Sequence, residues 1–358
     1  MPVKQENLKD FFGGKIGVKS KAWGDLQDKF WNDPRYAKYK ERYLELLELH
    51  PTDYDWMTTI MPMKHKQSDE GRQEIVNTSS SKKLMIDTTG MEKGSAYNVR
   101  GFQKEVIVDG ANIRVSSFPK DITKTYVYFF TNKGDTVLDP FSGHNSRMSA
   151  VVETKRNYIG YDICEPYVNV INEAYEKYKL MGVSVGNLTM HFESSENIME
   201  EDNSVDFIFT SPPFWNVEYY NDDPRQLGGR LSHKGERTYE EFLEGYQRVI
   251  NQCARVLKSG HYIGFNVEDI HRDGKLILFS MDTIKAFQNA GLTISDIVIT
   301  PYTSSAKMFQ IPKILNSHFG KTHGYIIFAR KGDKLKPGEI TEGEEEEIEE
   351  IEDEENDR

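Results

Sequence analysis

Gly134-Asp135-Thr136-Val137-Leu138-Asp139-Pro140-Phe141-Ser142-Gly143-His144-Asn145-Ser146-Arg147-Met148-Ser149 reads as strand, tight turn and helix in immediate succession. Thr136 to Leu138 form the end of a strand, and Asp139 to Asn145 are small or polar, as a turn requires. Arg147, Met148, Ala150, Val151 and Val152 carry a helix onward. This arrangement places a ligand against a helix N-terminus. A second strand, Asn157-Tyr158-Ile159-Gly160-Tyr161, ends in Asp162, and an acidic residue about 20 positions after the turn suits the hydroxyls of a ribose. The turn lacks the glycine triplet that cradles phosphates. Gly143 is present, but Asn145 stands where a further glycine is expected, and asparagine tolerates positive φ better than most residues. A nucleoside without phosphates therefore fits better than a dinucleotide.

Further along, Val205-Asp206-Phe207-Ile208-Phe209-Thr210 is a short β-branched and aromatic run of the kind found in buried parallel strands. Ser211-Pro212-Pro213-Phe214 follows. Consecutive prolines stop the strand and stiffen the turn. A small hydroxyl, rigid carbonyl acceptors and an aromatic plate can hold a flat ring bearing an exocyclic amino group. Taken alone, the segment is equally well read as a turn that merely ends a strand.

Together these segments resemble the amino-group DNA methyltransferases. Asp139-Pro140-Phe141-Ser142-Gly143, Gly160-Tyr161-Asp162 and Thr210-Ser211-Pro212-Pro213-Phe214 are similar to three of that family's motifs. Ser117-Phe118-Pro119-Lys120 is similar to the motif that closes over the methionine end of the cofactor. Thr238-Tyr239-Glu240-Glu241-Phe242, Arg255 to Gly260 and His323 to Ile327 are similar to later segments. The likeness spans roughly residues 112–332 and departs from the family at two places. Asn145 replaces a glycine, and Glu193-Ser194-Ser195 stands where an aspartate commonly contacts the adenine amino group.

The resemblance implies an α/β, Rossmann-like fold for S-adenosyl-L-methionine-dependent methyl transfer, with a mixed, mainly parallel sheet and helices on both faces. Phe118, Pro119, Asp139, Pro140, Phe141, Ser142, Gly143, Asn145, Asp162, Ile163, Glu193 and Ser194 are the expected cofactor positions, with Asp139 near the methionine amino group and Asp162 on the ribose. Ser211, Pro212, Pro213 and Phe214 are the expected catalytic positions. The partner is double-stranded DNA with its target base flipped out, since an amino group within a duplex is inaccessible. Ser211 Oγ and the Pro212 carbonyl would stabilise positive charge developing on the amino nitrogen. A serine before Pro-Pro accompanies N4-cytosine methylation more often than N6-adenine methylation, so cytosine is favoured. Methylation of RNA or another substrate, and a non-catalytic nucleic-acid-binding relic of the fold, are the competing readings.

Composition bounds the rest. No segment approaches the roughly 18 consecutive apolar residues of a membrane span, and the polar N-terminus lacks a signal-peptide core. Cys164 and Cys253 read as buried free thiols in a reducing cytoplasm, and the resemblance implies that of a prokaryote or a phage-infected cell. No cluster of Cys and His has metal-ligand spacing, so no metal is expected. The net charge of −12 resides in the tail: Glu339 to Arg358 hold 13 acidic residues and one basic one, leaving 44 of each sign elsewhere. Residues 334–358 are expected to be a disordered acidic tail, and 111–333 the catalytic domain.

Residues 1–110 do not follow the strand–helix alternation and form a helical or irregular extension for packing or substrate recognition. There, Asp33-Pro34 marks a helix start and His50-Pro51 its end, while Lys15, Lys19, Lys21, Lys82 and Lys83 with Trp23, Phe30 and Trp31 could touch nucleic acid. Residues 216–237 are polar and read as a mobile loop. Little but the acidic tail follows the catalytic half, so target recognition falls to residues 1–110, to the 216–237 or 301–320 loops, or to a protein partner.

Overall fold

Val205 to Thr210 (β6) form the middle of the structure, every residue of the strand buried. Phe207 and Phe209 point to one face of a sheet and Ile208 to the other, and each joins a separate apolar cluster. The computed structural model describes residues 30–49, 104–108, 111–115, 118–217, 220–229, 235–272, 274–301 and 323–335. Its main sheet has seven strands. They are Thr136–Asp139 (β3), Asn157–Tyr161 (β4), Leu188–His191 (β5), β6, Leu257–Val267 (β7), Leu292–Pro301 (β10) and His323–Lys331 (β11). Their order is β10-β11-β7-β6-β3-β4-β5. The pairs β3/β4, β3/β6, β4/β5 and β6/β7 are parallel, and β11 runs antiparallel to both neighbours.

Helices cover both faces, as strand–helix alternation requires. Lys120–Phe130 (α2), Ser146–Glu153 (α3) and Glu165–Leu180 (α4) pack on the Phe207/Phe209 side. Tyr239–Val256 (α5) and Phe279–Asn289 (α6) pack on the Ile208 side, around Phe242, Tyr246, Ile250 and Phe287. Each of these large apolar side chains contributes about 1.5–3 kcal/mol by leaving water. Helix α5 starts at a capping box: Thr238 accepts from the Glu241 N–H, and the Glu241 side chain accepts from the Thr238 N–H. The expected Rossmann-like α/β fold is what forms. Among the described residues no helix is long and apolar enough to cross a membrane, and both cysteines are buried free thiols.

The N-terminal helix Ala37–Leu49 (α1) follows a short 3-10 turn at Pro34–Tyr36, capped by Asp33 accepting from the Arg35 N–H. It docks through Glu45, which receives two donors from the fully buried Arg156 at 2.9 and 2.6 Å. The same guanidinium donates to the carbonyls of Thr131 and Thr154 and to Thr131 Oγ1. Arg156 immediately precedes β4, so α1 lies at the N-terminal edge of the strands, and Phe30 and Trp31 pack with Tyr43 in an aromatic cluster beside it. Lys15, Lys19, Lys21, Trp23, Lys82 and Lys83, the 302–320 loop and the tail from 336 onward lie outside the described residues.

Two antiparallel hairpins were not expected: Lys104–Val108 (β1) with Ala111–Val115 (β2), and Ile270–Arg272 (β8) with Lys275–Ile277 (β9). The expected boundary at residues 110/111 falls between β1 and β2, whose ladder ends at Val108↔Ala111. Within 216–237, Gln226 and Leu227 are buried, and Leu227 belongs to the core around α5, where a Cβ on Gly245 would collide with it. Residues 226–229 are thus packed, whereas Val217, Asp222, Pro224 and Gly235 of the same segment are exposed.

Candidate active site

The chain leaves β3 for β4 and β5 on one side, then returns to β6 on the other. The crevice at the carboxyl ends of β3 and β6 is therefore the topological switch point, where open α/β sheets bind ligands. Both motifs meet there. Thr210 Oγ1, at the end of β6, donates to Asp139 Oδ1, at the end of β3, at 2.6 Å across 71 positions of sequence.

Asp139 is fully buried and well supplied with donors. Besides Thr210, it accepts from Arg147 Nε at 2.6 Å, the Tyr158 hydroxyl at 2.9 Å and the Phe141 N–H at 3.2 Å. In this arrangement its carboxylate anchors the turn from beneath. Pro140 is held through its carbonyl by the Ser195 hydroxyl. Ser142 donates its N–H to the Tyr161 carbonyl at 2.9 Å. Gly143, at φ +53°, turns the chain and points its N–H at Asp162 Oδ2, 2.8 Å away. Gly160 must lack a side chain, because a Cβ there would strike Ser142 Oγ and come within 2.7 Å of Met190 Sδ. Asn145 caps α3 with right-handed helical backbone, φ −64°, so this position does not use the positive φ for which asparagine was considered.

Asp162 accepts the Gly143 and Cys164 N–H groups, one on each oxygen, at 2.8 Å. Burial is the larger influence, and it pushes the carboxyl up to about 7. His144 is buried. Burial, then the Arg147 charge, lowers it to about 4, and its Nδ1 has no hydrogen-bond partner among the described residues. Such an orphaned buried atom calls for a ligand or water.

Ser211 is partly exposed at the mouth of the crevice, with Pro212 and Pro213 buried behind it. Its Oγ accepts from Asn266 Nδ2 of β7 at 3.3 Å. Phe214 leans edge-on against Phe279, centroids 6.1 Å apart, and remains partly exposed. Trp215 adopts φ +50°, its indole N–H donating to the Arg237 carbonyl at 2.9 Å, which fixes the exit of the turn. Phe118 sits edge-on to Phe209, and Pro119 caps α2.

On the other side, Glu193 and Ser194 follow β5, and Ile163 follows Asp162. The 220–229 segment bridges them. Asn221 Nδ2 donates to the Ile163 carbonyl at 3.2 Å, and Arg225 Nη1 to Glu193 Oε1 at 3.0 Å. The Ser194 N–H also donates to Glu193, and this bond first, then Arg225, holds Glu193 below the usual carboxylate range. All the expected positions thus gather at the carboxyl ends of β3, β4, β5 and β6. Asn266, Arg147, Tyr158 and Arg225 join them without having been expected. A polar residue inside the apolar strand Tyr262 to Val267, and a basic one in the small-residue helix α3, are the sequence signals that mark the first two. Among the described residues, no group of three or more His, Cys, Asp or Glu side chains could hold a metal ion.

A DNA methylase family model, N6_N4_Mtase, matches residues 5–173 and 205–357, and the chain belongs to that family. A type II methyltransferase of Methanocaldococcus jannaschii is 43% identical over 60 residues, 17% of this chain and 20% of that protein. An orphan methyltransferase of Bacillus amyloliquefaciens is 28% identical over 94 residues, 25% of this chain and 36% of that protein. The chain thus matches 20% and 36% of the length of these two relatives. A solved SAM-dependent methyltransferase of Methanosarcina mazei gives a TM-score of 0.41 at 12% identity, over 58% of this chain and 97% of that one.

Proposed function

We propose that this chain transfers a methyl group from S-adenosyl-L-methionine to the exocyclic amino group of a base in double-stranded DNA, with N4 of cytosine favoured over N6 of adenine. The observation that carries the reading is the Thr210–Asp139 bond, which sets the Asp139–Asn145 turn beside the Ser211–Phe214 turn at the switch point.

The residues present fit the methyl donor. Each Asp162 oxygen takes one backbone N–H and keeps a lone pair for a ribose hydroxyl. Gly143 and Ser142 leave the turn without bulk, and His144 Nδ1 awaits a partner. Ile163, Glu193 and Ser194 would flank the adenine, and Phe118 and Pro119 the amino-acid arm. When bound, the donor supplies an electrophilic methyl group on sulfur.

The protein's part is electrostatic and geometric. An amino nitrogen conjugated with its ring is a poor nucleophile. Acceptors at Ser211 Oγ and the Pro212 carbonyl stabilise positive charge as it develops on that nitrogen, and once methylated the nitrogen gives its extra proton to solvent. Asn266 orients the serine by occupying one of its lone pairs. Phe214 stacks on the flipped base, and the two prolines keep these groups from relaxing during attack. Serine before Pro-Pro is the basis for favouring cytosine.

Helix α1 sits at the strand edge opposite the crevice, so target recognition falls to the other regions of the chain or to a protein partner. Incubation with labelled S-adenosylmethionine and mixed duplex DNA, followed by nucleoside mass spectrometry, tests the proposal. N4-methylcytosine is the expected product, N6-methyladenine would reverse the base assignment, and label entering only RNA would replace the substrate.

A further inference from the structure

Arg147 is the one basic residue in α3, and its side chain is only 8% exposed. Nε donates to Asp139 at 2.6 Å, and Nη2 to the carbonyls of Phe141 and Ser142 at 2.5 and 3.1 Å. Its Cζ lies 5.7 Å from the centroid of the Phe118 ring. Nη1 has no hydrogen-bond partner among the described residues. The guanidinium is therefore fixed in place, with one nitrogen left to offer.

This reverses the expected polarity of the amino-acid end of the site. Asp139 was the candidate for an ammonium group, but it is fully buried and already accepts from four donors. The group left with spare capacity there is a cation, the Arg147 guanidinium. An anion is the complementary ligand. Geometry says which one. The sulfur of the methyl donor has three substituents. Its ribose belongs with Asp162 and its methyl must face Ser211, so the amino-acid arm leaves on the third side, past Phe118 and the 141–147 turn.

We propose that Arg147 binds the carboxylate of the amino-acid arm through Nη1, with Asp139 serving to hold the guanidinium rather than to contact the ligand. This rests on the methyl-donor reading above. Arginine suits the task, because its planar fork can pair with Asp139 and a ligand carboxylate from different nitrogens.

Two ligands measured on the same protein test it: S-adenosylhomocysteine, and its decarboxylated analogue, which keeps the ammonium group. A charge-assisted bond to a carboxylate corresponds to roughly ten- to hundredfold in affinity, so the wild-type protein should prefer S-adenosylhomocysteine by about that factor. Arg147→Gln should abolish the preference, leaving the two ligands within about twofold, whatever the turn loses in common. Arg147→Lys, which keeps a charge opposite Asp139, serves if the glutamine variant does not fold, and should lose most of the preference. A preference undiminished in the variants, or equal weakening of both ligands with the preference retained, overturns the proposal and leaves Arg147 a support of the turn. If the wild-type protein binds neither ligand, the methyl-donor reading itself falls and takes this proposal with it.

Discussion

Asp162 is expected to couple cofactor binding to protons. Its carboxyl is pushed up to about 7, first by burial and further by the nearby Asp139 charge, against the pull of the Cys164 and Gly143 N–H groups and Arg147. Ribose hydroxyls donate hydrogen bonds, so they favour the ionised form. With a carboxyl at that value, about nine-tenths of the protein is ionised at pH 8 and about one-tenth at pH 6. A ligand selective for the ionised form should then bind about tenfold more weakly at pH 6, and binding there should release close to one proton. Titration calorimetry with S-adenosylhomocysteine, in two buffers of different ionisation enthalpy at each pH, counts that proton directly.

Asp162→Asn removes the titration. The variant should bind more weakly at pH 8, by roughly tenfold or more for the lost charge-assisted contact, and its residual affinity should not vary between pH 6 and 8. Affinity that is flat with pH in the wild-type protein, or an equal pH dependence in the asparagine variant, would refute the reasoning. The same shift has a consequence for folding. A carboxyl raised above its unfolded value binds more protons in the native state between about pH 4 and 7. This group's contribution to stability is therefore largest at low pH and is lost as pH rises through about 7, so the apo protein should lose part of its stability over the range in which the cofactor gains affinity.

Ser211→Ala and Phe214→Ala should each depress methyl transfer while leaving S-adenosylhomocysteine affinity unchanged, the phenylalanine loss by roughly five- to 150-fold for a stacking contact of about 1–3 kcal/mol; wild-type turnover by Phe214→Ala would displace the base pocket. Glu45→Ala strips the partner from the fully buried Arg156 and should cost about 3–5 kcal/mol in denaturant unfolding; a loss under about 1 kcal/mol would show that α1 adds little to the catalytic unit. Truncation after Gly338 removes the −12 segment and should tighten DNA binding at low salt, with the difference shrinking as salt rises; identical affinities at low ionic strength would leave the tail a solubilising role.

What the sequence showed and what it concealed divide along a physical line. Strands β4 and β6 were readable to the residue, because both are short apolar runs ended by a residue that cannot continue them, Asp162 in one and Ser211-Pro212-Pro213 in the other. Strand β7 begins at Leu257, directly after α5. No breaker separates helix from strand there, and the bend falls at Gly260, whose φ of +78° only the folded backbone reveals. The β1–β2 pair was passed over although Ala111, Ile113 and Val115 alternate with the polar Asn112 and Arg114, because each strand is only five residues long. In the site, the same division decides what Asp139 is. Its position at the end of the first strand is local information, and it suggested a ligand contact. Its saturation with donors depends on Arg147, Tyr158 and Thr210, which lie 8, 19 and 71 residues away, and no pattern along the chain reports such a convergence. Four donors around a carboxylate with no exposure make an anchor, and it is on this ground that the ligand contact is proposed for the arginine instead. A motif therefore locates chemistry more securely than it assigns roles, because its position is written in neighbouring residues and the role of its charge in distant ones.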